Sequence, residues 1–321
     1  MSFFLNSLPF ARVLKAWCEK IRHIKLNRKE KMLLKAVYPT LSEFLVNGSY
    51  IVFNNKLIKI CKRKAMFSVD NSKKAAFTYS NGTIIFGEWT DKVIILFSDA
   101  VLSFYTIERI SWIKHIEEYL PHLNLPVSEL LAISADDRYT LFKRVRGRKL
   151  TKNDDLIFIL NDILDRNVKS KKTTIIPNDD RYKKIKRMAA STSVLSYIQH
   201  GDVANCNIFV DGSDYCLIDM DLINYYPAMY DFFSLVTYGD NGHYLLPLVF
   251  NDFFSMKIGK LFDTDDLSRI RYYSDQYLAL FFAFRPNRMK PLLSELNMIL
   301  PDDYTEMRKA LSEYRSDFDN L

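Results

Sequence analysis

The sequence predicts an α+β protein in two lobes: a small antiparallel β-rich lobe with one main helix, then a larger, mainly helical lobe. Three observations predict it. From about residue 42 to 99 the chain runs in short β-rich segments separated by turn pairs. Beyond residue 150 the apolar spacing becomes helical. At 321 residues with only nine glycines, the chain is long enough to bury a large core and has little material for flexible linkers.

The β-rich segments are Tyr50 to Phe53, Leu57 to Cys61, Ala75 to Tyr79, Thr83 to Trp89 and Val93 to Phe97, with Asn54-Asn55, Asn81-Gly82 and Thr90-Asp91 as turns. A helix over Ser103 to Leu120 carries Ile107, Ile110, Ile113, Ile116 and Leu120 along one side, and Pro121 closes it. Two strands, Leu130 to Ser134 and Tyr139 to Val145, lead to Gly147. Thr151 then caps a helix reaching Asn167, and further helices are expected over Met229 to Tyr238, Asp265 to Phe284 and Tyr304 to Tyr314. In that half only Asn207 to Ile218 reads as strand. Ahead of both lobes, Val13, Leu14, Trp17, Cys18, Ile21 and Ile24 recur at helical spacing opposite Lys15, Lys20, Arg22 and His23. The expected division is an amphipathic helical segment over 1–40, a β-rich lobe over 41–145 and a helical lobe over 146–321.

A formal charge of +7 and a pI near 9.0 favour an anionic partner: a nucleotide, a phosphorylated glycan or a membrane surface. The basic N-terminal helix packs on its own protein or makes peripheral membrane contact. The apolar stretches Tyr244 to Phe250 and Tyr277 to Phe284 fall short of the roughly 20 residues that span a bilayer. Met1 to Phe10 lacks the basic start and small-residue cleavage site of a signal peptide. Cys18, Cys61, Cys206 and Cys216 have no zinc-type spacing with histidine and read as reduced thiols. A cytoplasmic chain is therefore expected. Lys169, Lys171, Lys172, Arg181, Lys183, Lys184, Lys186 and Arg187 form a basic run with Tyr182 as its one close aromatic. That composition suits a solvated face or a site for an anionic acceptor, and nucleic acid is not the expected partner.

The segment from Gln199 to Asp221 carries the chemistry. His200-Gly201-Asp202 form a loop; after it, an apolar strand begins at Asn207, turns at Asp211-Gly212-Ser213-Asp214 and returns through Tyr215 to Ile218-Asp219. The turn sets Val210 against Tyr215, and counting back sets Asn207 against Ile218, beside Asp219. An amide oxygen and a carboxylate at one hairpin end suit a hard divalent cation completed by phosphates and waters. Asp202, five positions before Asn207, is near enough to face an acceptor hydroxyl as its base.

His-Gly-Asp, four variable residues, Asn, and then Ile-Asp after a strand resemble the catalytic region of the aminoglycoside phosphotransferase and choline kinase group of the protein-kinase-like fold. The resemblance covers about Ile107 to Val236. It implies a bilobal protein-kinase-like fold, ATP and Mg²⁺, Asp202 as catalytic base, Asn207 and Asp219 as metal ligands, and His200 as a loop-holding residue. It also implies that Asp231, in Tyr226-Pro-Ala-Met-Tyr-Asp231, braces the catalytic loop, and that the backbone of Tyr139 to Leu150 holds the adenine.

The same group carries a phosphate-gripping lysine in its third strand, ion-paired with a glutamate on the following helix. Glu108 is the candidate acid. Counting back into Val93 to Phe97 puts Leu96 at the lysine position, with Lys92 at the strand entrance, whereas Lys59 sits in an earlier strand among apolar residues. Both lysines stay open. Gly48 and Gly82 start no glycine-rich motif and read as turns. Two functions follow. One is an ATP-dependent kinase acting on a small-molecule or saccharide hydroxyl, for which an anionic acceptor suits the basic chain better than a cationic aminoglycoside. The other, motivated by the absent strand lysine, is a nucleotide-binding pseudokinase or scaffold.

Overall fold

The computed structural model describes residues 51–53, 65–68, 76–79, 82–86, 92–136, 138–151, 156–175 and 194–318. The N-terminal segment 1–40, Lys59, the strand Leu57 to Cys61 and the basic residues Arg181 to Arg187 lie outside them. The fold is α+β and divides into two compact units: Met1–Glu117 with Ser128–Val145, and Glu118–Val127 with Arg146–Leu321.

The first unit is built on a sheet in which β1 (Ile51–Phe53), β4 (Gly82–Phe86), β5 (Lys92–Leu96), β6 (Ala100–Tyr105), β8 (Tyr139–Lys143) and β7 (Leu130–Ser134) lie in that spatial order. All its pairings are antiparallel except that of β1 with β4. A separate hairpin pairs β2 (Ala65–Ser68) with β3 (Ala76–Tyr79). Val93 and Ile95 of β5, Leu102 and Phe104 of β6 and Leu141 of β8 fill the buried face, each on alternate positions of its strand.

The helix expected from Ser103 starts later. Ala100–Tyr105 is a sheet-interior strand, Ile107–Arg109 a 3₁₀ turn, and α1 runs from Ile110 to Tyr119. Every residue of β6 except Val101 is buried, so the strand shows no period of two, and its apolar run merges with the helical spacing that follows. Ile107, assigned to the helix stripe, is 64% exposed, while Ile113 and Ile116 are buried. The strand directly before the helix is thus Ala-Val-Leu-Ser-Phe-Tyr, without a lysine.

The second unit holds more strand than the single expected stretch. β9 (Arg148–Lys149) pairs with β12 (Ile208–Asp211), which pairs with β13 (Asp214–Leu217). A second small sheet joins β10 (Thr173–Ile175), β11 (Val194–Gln199) and β14 (Asn224–Pro227). β11 and β14 lacked a strand signature because their buried residues include Ser196 and Gln199 and their ends include Asn224 and Pro227. The helices are α2 (Leu156–Val168), α3 (Tyr230–Val236), α4 (Asn241–Phe250), α5 (Ser255–Phe262), α6 (Leu267–Phe284), α7 (Pro286–Met289), α8 (Leu293–Ile299) and α9 (Thr305–Phe318). α6 packs on α3, α5 and α9, and α2 packs on α3 and α5. Phe232, Phe233, Phe254, Phe281 and Phe282, all buried, meet edge to face or tilted through this core. No described helix is long and apolar enough to cross a membrane.

Asp266 caps α6 by accepting from the Ser268 N–H at 2.9 Å. Within α6, the buried Asp275 accepts from the N–H groups of Glu306 and Met307, each at 2.8 Å, and so caps α9 from the side. Burial pushes the Asp275 carboxyl up to about 6 against the pull of those amides. A carboxyl raised in the folded state contributes stability that is present at low pH and lost as pH rises through its folded value. Relative to Asp275→Asn, the wild type should therefore lose stability between about pH 4 and 6 and keep a constant offset above pH 7. Urea denaturation of both proteins across that range measures it.

Candidate active site

The hairpin has the expected register: Val210 pairs with Tyr215 and Ile208 with Leu217 across a Gly212-Ser213 turn. The Ile218 N–H then donates to the Asn207 carbonyl at 2.9 Å, so Asn207 opposes Ile218 and Asp219 follows directly. Tyr215 fixes the hairpin to α2 by donating to Asp162 at 2.8 Å. Asp219 is exposed and leaves the hairpin with φ 69° and ψ 67°, a left-handed conformation costly for a residue with a Cβ.

The loop that carries His200, Gly201 and Asp202 leaves β11 and is held from below. Asp231, 0% exposed in the first turn of α3, accepts from the His200 N–H at 2.7 Å and the Gly201 N–H at 2.8 Å, one on each carboxylate oxygen. Its own N–H donates to Gln199 Oε1 at 3.0 Å, and Gln199 Nε2 donates to the carbonyls of Tyr226 and Pro227. Burial pushes the Asp231 carboxyl up, while His200 and the two amides pull it back. Gly201 has φ +84°, and a Cβ there would run into the Leu222 carbonyl and the Tyr226 ring, so the position requires glycine twice over.

His200 ties the loop to the hairpin. Its Nδ1 accepts from the Asp202 N–H at 3.2 Å, which leaves the proton on Nε2 to donate to the Ile218 carbonyl at 2.9 Å. The imidazole is fully buried and spans the gap between the residue bearing one carboxylate and the residue preceding the other.

Asp202 is held on both sides. Asn207 Nδ2 donates to its carbonyl at 3.0 Å and to its Oδ2 at 3.1 Å. On the other side, Arg285 Nη2 donates to the Gly201 carbonyl at 2.8 Å and lies 3.4 Å from Asp202 Oδ1. Arg285 Nε donates to Tyr230 Oη at 2.8 Å, and the Tyr230 ring stacks on Tyr226 with centroids 4.2 Å apart. Arg288 follows one turn later, with its guanidinium over the Tyr238 ring at 4.6 Å from the centroid. Sequence reading missed both arginines. The available signal was Phe284-Arg285-Pro286, where a long apolar helix must stop and hand its next residues to solvent or a cleft.

Asn207 uses its amide nitrogen on Asp202, and among the described residues its Oδ1 has only a 3.6 Å contact from the Cys206 thiol. That oxygen and the exposed Asp219 carboxylate fit a hard cation that takes few protein ligands and completes its shell with phosphates and water. Among the described residues no cluster of three His, Cys, Asp or Glu side chains forms a cage.

The phosphate-gripping candidates belong to the other unit. Glu108 lies in the 3₁₀ turn ahead of α1, exposed, its carboxyl held below the usual range chiefly by the Thr106 hydroxyl. Lys92 is 8% exposed and pairs with Tyr105 across β5 and β6. By strand alternation it shares its face with Ser103 and Thr140 as well as Ile94 and Leu96, and the Tyr105 and Thr140 hydroxyls lie 3.3 Å apart, so one end of that face is polar.

No protein-family model and no curated protein sequence matches the chain. Solved structures do. An aminoglycoside phosphotransferase in a ternary complex with streptomycin and ATP aligns over 74% of this chain and 92% of its own, with 12% identity and a TM-score of 0.42. A choline/ethanolamine kinase family protein from Mesorhizobium loti aligns over 74% and 87%, with 9% identity and a TM-score of 0.39. A choline kinase from Streptococcus pneumoniae aligns over 74% and 94%, with 10% identity and a TM-score of 0.33.

Asp231→Ala should destabilise the protein by about 2–4 kcal/mol, because it leaves two buried N–H groups without an acceptor. A fall in the urea midpoint at unchanged slope measures the loss.

Proposed function

We propose that this chain is an ATP- and Mg²⁺-dependent phosphotransferase that moves a phosphoryl group to a hydroxyl of a small molecule or saccharide, with Asp202 as base. The observation that carries the reading is the pairing of Asp202 with Asn207, which sits across the hairpin from Ile218 and so beside Asp219. A base and two cation-suited oxygens converge on one loop and hairpin end. The His-Gly-Asp, Asn, Ile-Asp order in the sequence supports the same assignment.

In this reading Asp202 orients the acceptor O–H and takes its proton. The acceptor oxygen forms the new bond to the γ-phosphorus, and the bond from phosphorus to the bridging oxygen breaks, so that ADP leaves. Asn207 restrains the Asp202 carboxylate through Oδ2, Arg285 flanks it through Oδ1, and His200 keeps loop and hairpin in register. When bound at Asn207 Oδ1 and Asp219, Mg²⁺ supplies charge neutralisation for the phosphates. Lys59 and Lys92 are both kept as candidates for the phosphate-gripping lysine, with Glu108 as the candidate acid. We further read the chain as cytoplasmic, with the basic amphipathic segment Val13 to Ile24 either packed on its own protein or in peripheral contact with an anionic membrane. Co-sedimentation with anionic but not zwitterionic vesicles tests that contact.

The absence of a lysine from β6 favours one competing reading, a nucleotide-binding scaffold. Phosphate transfer from labelled ATP across amino sugars, choline-like alcohols and glycan precursors separates the two. The kinase reading expects transfer, and Asp202→Asn should lower kcat by about 10²–10⁴-fold, the usual contribution of a positioned base. Transfer at the wild-type rate in Asp202→Asn would remove Asp202 from the chemistry, and Mg-ATP binding without transfer to any acceptor would favour the scaffold.

A further inference from the structure

We propose that Arg285 and Arg288 form an oxyanion site on the acceptor side of Asp202, so that the alcohol phosphorylated there already carries a phosphate or a carboxylate. The inference rests on the phosphotransferase reading for the word acceptor; the anion site itself rests on geometry alone.

The two arginines project from adjacent turns. Arg285 ends α6, Arg288 lies in α7, and the Arg288 N–H donates to the Arg285 carbonyl at 2.9 Å, which keeps the two residues within one turn of chain. Arg285 is committed through Nε and Nη2, to Tyr230 and to the Gly201 and Asp202 oxygens. Among the described residues its Nη1 has no hydrogen bond and Arg288 has neither a hydrogen bond nor an ion pair, although the Arg288 guanidinium is half-buried over Tyr238. Burial pushes the Arg288 guanidinium below its usual range, and the Asp202 carboxylate pulls it back without forming a hydrogen bond or ion pair with it. Such a group is retained at a cost unless an anion arrives to be paired. Two planar forks carried within one turn of chain match the oxygens of a phosphate or carboxylate better than any neutral hydroxyl pattern.

The position also separates this site from the nucleotide phosphates. Asp202 Oδ2 faces Asn207, the metal-side residue, whereas Asp202 Oδ1 faces Arg285. The carboxylate thus stands between the cation-suited oxygens and the arginines. An anion on the arginine side places the rest of its molecule, including a hydroxyl, against the carboxylate that takes the proton. A polycationic aminoglycoside would meet two positive groups at the same place and be repelled.

Two measurements on the full chain test this. Inorganic phosphate is titrated by calorimetry into nucleotide-free wild type, Arg288→Gln and Arg288→Lys. In parallel, transfer from Mg-ATP is measured with matched acceptors: neutral hexoses, their 6-phosphates and their uronic acids. The expected results are phosphate binding weakened about tenfold or more by Arg288→Gln and largely kept by Arg288→Lys. In addition, kcat/KM should be at least about tenfold higher for anionic than for neutral acceptors in the wild type, a preference that Arg288→Gln erases through the acceptor KM. Better use of 6-phosphates than uronic acids assigns the anion as phosphate, and the reverse order assigns a carboxylate. Equal use of neutral and anionic acceptors overturns the inference and leaves the phosphotransferase reading standing, as does an Arg288→Gln effect confined to the KM for ATP. Arg288-dependent phosphate binding without transfer to any acceptor supports the anion site and removes the phosphotransferase reading instead.

Discussion

Two backbone amides, those of His200 and Gly201, end on the Asp231 carboxylate, and the geometry of the site follows from that one attachment. A carboxylate in the first turn of a buried helix is placed by the packing of that helix, not by solvent. Because each oxygen takes one amide, the loop is fixed in both position and rotation. Gly201 can then adopt its positive φ close against Leu222 and Tyr226, His200 points at the hairpin, and Asp202 emerges on the far side. Withdrawing Asp231 would move all three side chains together.

The surroundings of Asp202 are asymmetric in charge. One side offers a side-chain amide, which can restrain a carboxylate without competing for a metal. The other offers a guanidinium already engaged with Tyr230 and the Gly201 carbonyl, with a second guanidinium one turn away. A positive lobe beside Asp202 fits the basic character of the whole chain, but it is local. It comes from the two residues that flank Pro286 and Asn287.

The hairpin was legible in the sequence because a two-residue turn fixes register by counting, and Asn207 met Ile218 as the count required. The two-unit α+β division was legible for the same kind of local reason, the change from short β-rich runs to helical spacing. The start of α1 was not, because β6 is buried on both faces and its apolar residues carry no periodicity that separates strand from helix. That error displaced the search for a phosphate-binding lysine by one strand. Arg285 and Arg288 left only a weak local mark, the stop at Phe284-Arg285-Pro286, for a different reason. They lie 83 residues and more from Asp202 in sequence, and only tertiary packing of α6 against α3 brings them beside it.

All seven residues of α3 are buried, and the loop hangs from its first turn. The His200 and Gly201 amides can exchange with solvent only if that helix separates from the core around Phe232, Phe233 and Phe281, an opening that resembles global unfolding. The segment bearing Asp202 is therefore among the last parts of the molecule to loosen. Slow motions of the molecule must arise in segments tied less deeply than this one.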